Sequence, residues 1–257
     1  MTNSQVDRIY EQARLVSRIR GCRTSSSRSL CLGSLLLGLF LITACNSTTV
    51  FQAHFNSDTP GSPPATNQAT GTLLLSPGAG SITVVAAPAA GLPANKWVRI
   101  SHPSQPTLET VMKGEFPASN GPGNYGFLAS LFIPTGTGAV TVQFETFGRG
   151  LNNSPDFLHL DFMPAGNIRI NDDDAVTFGH FPRDQVFVLS VNLVITPANA
   201  TAHISLLGAG TSGSTDVSIT GFRLTLAQQF GSLRIWMGFQ WTGMFFVDDI
   251  LVTRRNS

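Results

Sequence analysis

Beyond residue 45 this chain of 257 residues has no cysteine: Cys22, Cys31 and Cys45 are the three it contains. Whatever folds after that point holds no disulfide, and about two hundred residues can bury a core without one. Charge is scarce too, at 12% of residues. From Cys45 on, ten Lys and Arg face thirteen Asp and Glu, a net of −3. With no basic stripe, nothing favours nucleic acid as a partner. Only three glutamates follow residue 45, at Glu109, Glu115 and Glu145. Helical apolar spacing is missing there as well, apart from one short turn that "LTLAQQFGSL" could hold.

The absences extend to catalytic patterns. A jelly-roll glycosidase needs two carboxyls about 5–5.5 Å apart for retaining chemistry, typically on a strand of the form E-x-D-x-E. None of the three glutamates stands in such a pattern. "GTSGSTD" has the wrong spacing for a G-x-S-x-G elbow and no helix after it. His54, His102, His159, His180 and His203 are scattered, with no ligand-like pair for zinc. His159 and Asp161 share a strand face but lack a nucleophile or second carboxylate, so catalysis is unsupported.

What is present begins with the leader. Six arginines (Arg8, Arg14, Arg18, Arg20, Arg23 and Arg28) precede an apolar run, "LCLGSLLLGLFLITA", at residues 30–44. The run is too short for a spanning helix, which needs about 20 residues, and suits a signal segment with its basic flank inside. It ends in Leu41-Ile42-Thr43-Ala44-Cys45, which resembles the lipobox of bacterial lipoproteins. That resemblance implies cleavage before Cys45, lipid on its thiol, export, and anchoring to a bacterial membrane. Asn46 implies the outer membrane in a Gram-negative organism. Residues 1–44 are then a signal peptide with a long n-region, 45–50 the lipidated cysteine and a short tether, and 51–257 one folded domain.

The pattern in that domain is β nearly throughout. "VTVQFETF" sets Val142 and Phe144 against Gln143 and Glu145; "FLHLDFMP" sets Phe157, His159 and Asp161 against Leu158, Leu160 and Phe162. "VFVLSVNLVI", "TAHISLLG", "LRIWMGF" and "GMFFVDDILVT" add further strands, with Gly and Pro clusters every 8–12 residues or so. This favours an all-β sandwich or barrel over βαβ units, with "NSDTPGSPPATNQATG" as a long loop after the first strand.

Three segments carry a family resemblance: "FQAHFNSDTPGSPP", the middle run from "FLHLDF" to "VLSVNL", and "FFVDDILVT". They resemble the concanavalin-like and laminin-G-like jelly rolls and their related carbohydrate-binding modules. The resemblance implies a jelly roll over most of residues 51–254 and a structural calcium at Asp58, Asp248 and Asp249. His54 stands where those families often have an acid, and adjacent strand residues face opposite ways, so the two aspartates share a site only across a bulge.

Among remaining candidates, Trp241 in a Gly/Thr turn and Tyr125 in a Gly-rich loop could stack on pyranose faces. Trp236, in an alternating strand, reads as core. "NDDDAV" reads as a solvated hairpin turn or as cation ligands. The leading expectation is an anchored, non-catalytic domain that binds glycan or another envelope ligand. The alternatives are a structural or protein-interaction lipoprotein with no sugar site, and a divergent jelly-roll polysaccharide hydrolase using Asp161 with Glu145.

Overall fold

A computed structural model describes residues 47–255 except 90–94, 104–107, 149 and 152–154. The signal segment, Cys45 and Asn46 lie outside the described residues. The strands are β1 (Ser47–Ala53), β2 (Thr72–Ser76), β3 (Ser81–Ala86), β4 (Lys96–His102), β5 (Thr110–Asn120), β6 (Gly123–Phe132), β7 (Val140–Thr146) and β8 (Asp156–Phe162). They continue with β9 (Ile168–Ile170), β10 (Asp173–Phe178), β11 (Val186–Ile195), β12 (Ala200–Leu207), β13 (Ser214–Ile219), β14 (Phe230–Met237) and β15 (Gly243–Arg255). One short helix, α1 (Phe222–Ala227), overlaps the start of the 224–233 segment where a single helical turn was expected. No helix among the described residues is long and apolar enough to cross a membrane.

Two sheets form a jelly-roll sandwich. The first runs β13-β12-β11-β6-β15-β4-β3 with β1 against β15; the second runs β10-β9-β8-β7-β14-β5-β2. Pairing is antiparallel, and central neighbours such as β6 with β15 and β5 with β14 are far apart in the chain. Alternation decides what faces inward. β14 buries Leu233, Ile235 and Met237, β7 buries Val142 and Phe144, and β6 meets them with Phe127, Ala129 and Leu131. Rings interlock across the core: Phe127 meets Phe144 edge-on at 5.1 Å, and Tyr125 meets Phe230 at 5.5 Å. Each ring so buried stabilises the fold by about 1.5–3 kcal/mol.

Two irregularities depart from simple alternation. Phe144 pairs with Leu158 and Glu145 with Asp156, which leaves Phe157 as an extra residue. It turns into the core against Phe230 at 5.4 Å instead of sharing a face with His159 and Asp161. β15 slips against β6 between Asp248 and Leu251, where Asp249 takes a φ of 51°. "NDDDAV" forms the β9–β10 turn, with Asn171 and Asp172 at φ 55° and 60°, the pair of positive values a two-residue hairpin needs.

Candidate functional site

The side chains of the second sheet that point away from the core are polar along three parallel rows. Across β5, β14, β7 and β8, Lys113, Arg234, Gln143 and His159 stand side by side. One row over are Val111, Trp236, Thr141 and Asp161, continued on β9 by Arg169. On the other side Ser232 stands between Glu115 and Glu145. An outer face would ordinarily be wet. Here Lys113, Ser232 and Glu145 are at most 1% exposed, and Thr141, Gln143, His159 and Asp161 are buried too.

Burial on this face is compensated by pairing. Lys113 Nζ lies 3.2 Å from Glu145 and donates to the Gly150 carbonyl at 2.8 Å, while the Gly150 amide donates to Glu115 at 2.7 Å. Burial pushes the Glu145 carboxyl up from its ordinary value, opposed by Lys113 and by the Ser232 hydroxyl. Burial pushes Asp161 the same way, but bonds from His159, Thr141 and Arg169 outweigh it and hold this carboxyl below the usual range. Arg169 bonds Asp161 through Nε and one terminal nitrogen, at 3.0 and 2.7 Å, and also reaches Asp172 and Asp174. His159 sits 2.8 Å from Asp161 and 3.1 Å from Gln143.

Ligand atoms of His159, Asp161 and Asp172 lie within 4.8 Å of one another, a spacing that could hold a metal ion. The Arg169 guanidinium already bonds both carboxylates. Both carboxylates of the trio are therefore already engaged by an arginine.

Trp236 is a partly buried aromatic of this face. Arg234 lies over its ring at 4.8 Å, and the His159 ring is 6.4 Å away. Arg234 also pairs with Glu109. Trp236 Nε1 and Arg234 Nε are buried donors with no hydrogen-bond partner among the described residues, and an unpaired buried donor costs free energy. This corrects the core assignment of Trp236. Its strand buries the alternate set, Leu233, Ile235 and Met237, and turns the indole outward.

The other sequence candidates fall elsewhere. Tyr125 is 3% exposed; its ring meets Phe230 edge-on at 5.5 Å, and its hydroxyl donates to the Gly121 carbonyl. It braces the β5–β6 turn from inside and cannot stack on a sugar. Trp241 is half-buried, against Gly138 and the edge of the core. It lies beyond the far end of β6 from Tyr125, so the two share no face.

Asp58 accepts from the Ala65 amide at 3.0 Å, tying its own loop, while Lys96 Nζ reaches the Asp58 carbonyl at 2.5 Å. Asp248 is wholly buried; Asn95 donates to one oxygen at 2.5 Å and the other has no partner. Burial and neighbouring Asp249 push its pKa up to about 8. A bulge does separate the two aspartates, yet Asp58, Asp248 and Asp249 form no converging ligand cluster among the described residues. Their bonds go to backbone and Asn95 instead.

The pair weighed for hydrolysis is too far apart. Asp161 faces Thr141 across β7–β8, four residues from Glu145, or roughly 13 Å at ~3.3 Å per residue. Glycosidase carboxyls stand about 5–9.5 Å apart. Glu115 and Glu145 are nearer, flanking Ser232. A cleft of about 210 Å³ beside them is lined by Glu115, Phe116, Phe147 and glycines, and Glu145 is not in its wall.

No family profile matches the chain, and no curated protein does. Solved structures share its outline. Lectin II from Ulex europaeus superposes with a TM-score of 0.47 at 8% identity, covering 81% of this chain and all of that one. The catalytic domain of a glycoside hydrolase family 131 protein from Coprinopsis cinerea gives 0.47 at 16% identity, with 79% and 93% covered. The CBM2 module of the evolved Dit of Lactobacillus casei BL23 phage J-1 gives 0.47 at 13%, with 82% and 97% covered. All three scores are below 0.5, so these likenesses carry no argument about ligand or activity.

Proposed function

We propose that this chain is an exported protein, anchored to a bacterial membrane by lipid on Cys45, that binds a glycan without catalysis on the outer face of its second sheet. The observation that carries this reading is Trp236. A partly buried indole stands there on the outer face, with Arg234 over its ring at 4.8 Å and the His159 ring 6.4 Å away. A saccharide matches an indole beside charged and amide side chains, since its C–H faces stack on a ring while its hydroxyls bond the polar rim. The tied carboxylates favour binding over hydrolysis: Glu145 is locked to Lys113, Asp161 to Arg169 and Glu109 to Arg234.

The test is a glycan and polysaccharide array with full-length, detergent-solubilised protein and its W236A variant. The expected result is selective binding that weakens at least tenfold in W236A, about 1.4 kcal/mol, and is unchanged in W241A. A blank array from folded protein, or equal loss in W241A, would reject the site. A second reading, binding of an envelope protein, draws on exposed Leu108, Phe239 and Met244 around the β14–β15 turn. It predicts capture of a defined partner that F239S abolishes and W236A leaves intact.

A further inference from the structure

Charge is unevenly matched on the outer face of the second sheet. Where β5, β7 and β14 run together, each cation has one acid: Arg234 pairs with Glu109, and Lys113 with Glu145 at 3.2 Å. The corner formed by β8, β9 and the turn into β10 is different. One guanidinium, Arg169, serves three carboxylates there, Asp161 at 2.7 Å, Asp172 at 3.3 Å and Asp174 at 2.9 Å. Asp173 adds another acid to the same turn, where it accepts from the Ala175 amide at 2.9 Å. From α1, Arg223 reaches the corner through Asn171 at 3.3 Å, and Asp156 at 2.9 Å balances its charge.

Among the described residues of this corner, five acids thus face two arginines, a surplus of three negative charges. The one imidazole, His159, lies 2.8 Å from Asp161 and 3.5 Å from Asp172, and its protonation would still leave two. The surplus is open to solvent: the side chains of Asp172 and Asp174 are 62% and 87% exposed. It is also close to the indole. The His159 ring lies 6.4 Å from the Trp236 ring while its Nδ1 is 3.5 Å from Asp172, so one residue bridges the stacking surface to the acidic turn.

We propose that the glycan bound on this face is a polymer of amino sugars with free, protonated amines, one ring against Trp236 and an ammonium group at Asp172 and Asp174. The proposal rests on the glycan reading of Trp236 and names the class of ligand. An ammonium group brings three donors and a positive charge to carboxylates that outnumber their cations. A uronate or sulfated sugar would set like charge against the same surplus. A neutral sugar could stack on the indole but would leave the surplus unmet. Since both carboxylates are exposed, the attraction is one that salt screens.

The experiment is calorimetric titration of the full-length, detergent-solubilised protein with β-1,4-linked hexamers of glucosamine and of N-acetylglucosamine, which differ in the charge on nitrogen, and with a hexamer of galacturonate. At low salt the glucosamine hexamer should bind at least tenfold tighter than its acetylated counterpart, and the galacturonate hexamer weaker than either. That advantage should fall below threefold in about 1 M salt, where the screening length is ~3 Å, and in Asp172→Asn with Asp174→Asn. Asn tolerates the left-handed backbone of position 172, so this variant keeps the turn. Asp216→Asn removes an equally exposed charge from the first sheet and should change nothing, whereas W236A should weaken glucosamine binding at least tenfold. Equal or tighter binding of the acetylated or the galacturonate hexamer would overturn the proposal. So would an advantage that survives the double substitution, that Asp216→Asn removes as well, or that disappears in chelator, since a metal ion would then hold the ligand. The array keeps the two readings apart: a neutral or acidic glycan bound through Trp236, with the glucosamine hexamer blank, removes only the amine, while a blank array and blank titrations remove the glycan reading and this one with it.

Discussion

The Asp248 carboxyl, wholly buried in β15 beside Asn95, ionises only near pH 8 against an ordinary 3.8. The folded chain therefore keeps a proton that the unfolded chain releases over that interval. Its contribution to stability is complete below about pH 4 and is lost as pH rises to about 8. One pKa unit corresponds to about 1.4 kcal/mol, so the effect is on the order of several kcal/mol. Asn at this position keeps the shape and cannot ionise. Urea unfolding in chelator should show stability falling between pH 5 and 8 in the native chain, with a flatter profile and higher stability at pH 8 in D248N. Parallel profiles would mean that the carboxyl is ionised in the fold. Lys113 and Glu145 make the complementary case, a buried pair at 3.2 Å. K113M leaves Glu145 buried and uncompensated, and is expected to cost about 3–5 kcal/mol. In K113M with E145L most of that loss should return; a double mutant as weak as the single would show that the Lys113 bonds to the 148–150 backbone matter more.

Among the elements, β1 and β5 fit together only because position 114 has no side chain. A Cβ on Gly114 would stand 2.6 Å from the Phe51 ring, which is fixed between Gly114 and Phe116. G114A should cost about 1–3 kcal/mol through overpacking, read as a lowered Tm, and trimming the ring in G114A with F51L should recover part of it. If G114A melted like the native chain, β1 would be free to shift in register. The β9–β10 hairpin follows local chemistry that the sequence displays openly. Asn171 and Asp172 take the two left-handed positions and Arg169 gathers the acids around them, as expected of a solvated turn. The Phe157 bulge was not legible in the same way. "DFLHLDF" alternates cleanly on paper, and the extra residue exists because the core opens toward Phe230 and Phe144, rings contributed by other strands.

At the scale of the whole molecule, the outer face of the second sheet runs between the turns at its two ends. An anchored receptor binds its ligand from the membrane, so vesicle-bound protein should retain the array specificity of the detergent-solubilised protein. Loss of binding on vesicles would place the ligand face against the bilayer. The all-β layers were legible from the sequence, because period-two alternation and regular Gly and Pro breaks report on each strand locally, and the family resemblance implied the jelly roll. The ligand site was not. Trp236 and Trp241 are five residues apart, and turn composition pointed to the second as the exposed one. Yet exposure depends on which face of β14 the core takes, and that is settled by β5 and β7 on either side. Tyr125 likewise sits in a glycine-rich segment and is nevertheless core, because Phe230 comes across from the other sheet to meet it. The sequence by itself determined the strands, their turns, the absence of disulfides after Cys45 and the scarcity of catalytic carboxylates. Each of these depends on a residue and its near neighbours. Only the tertiary structure decided which polar side chains share a face, which carboxylates are tied to cations and which tryptophan stands outward, because each depends on strands that meet across long sequence separations.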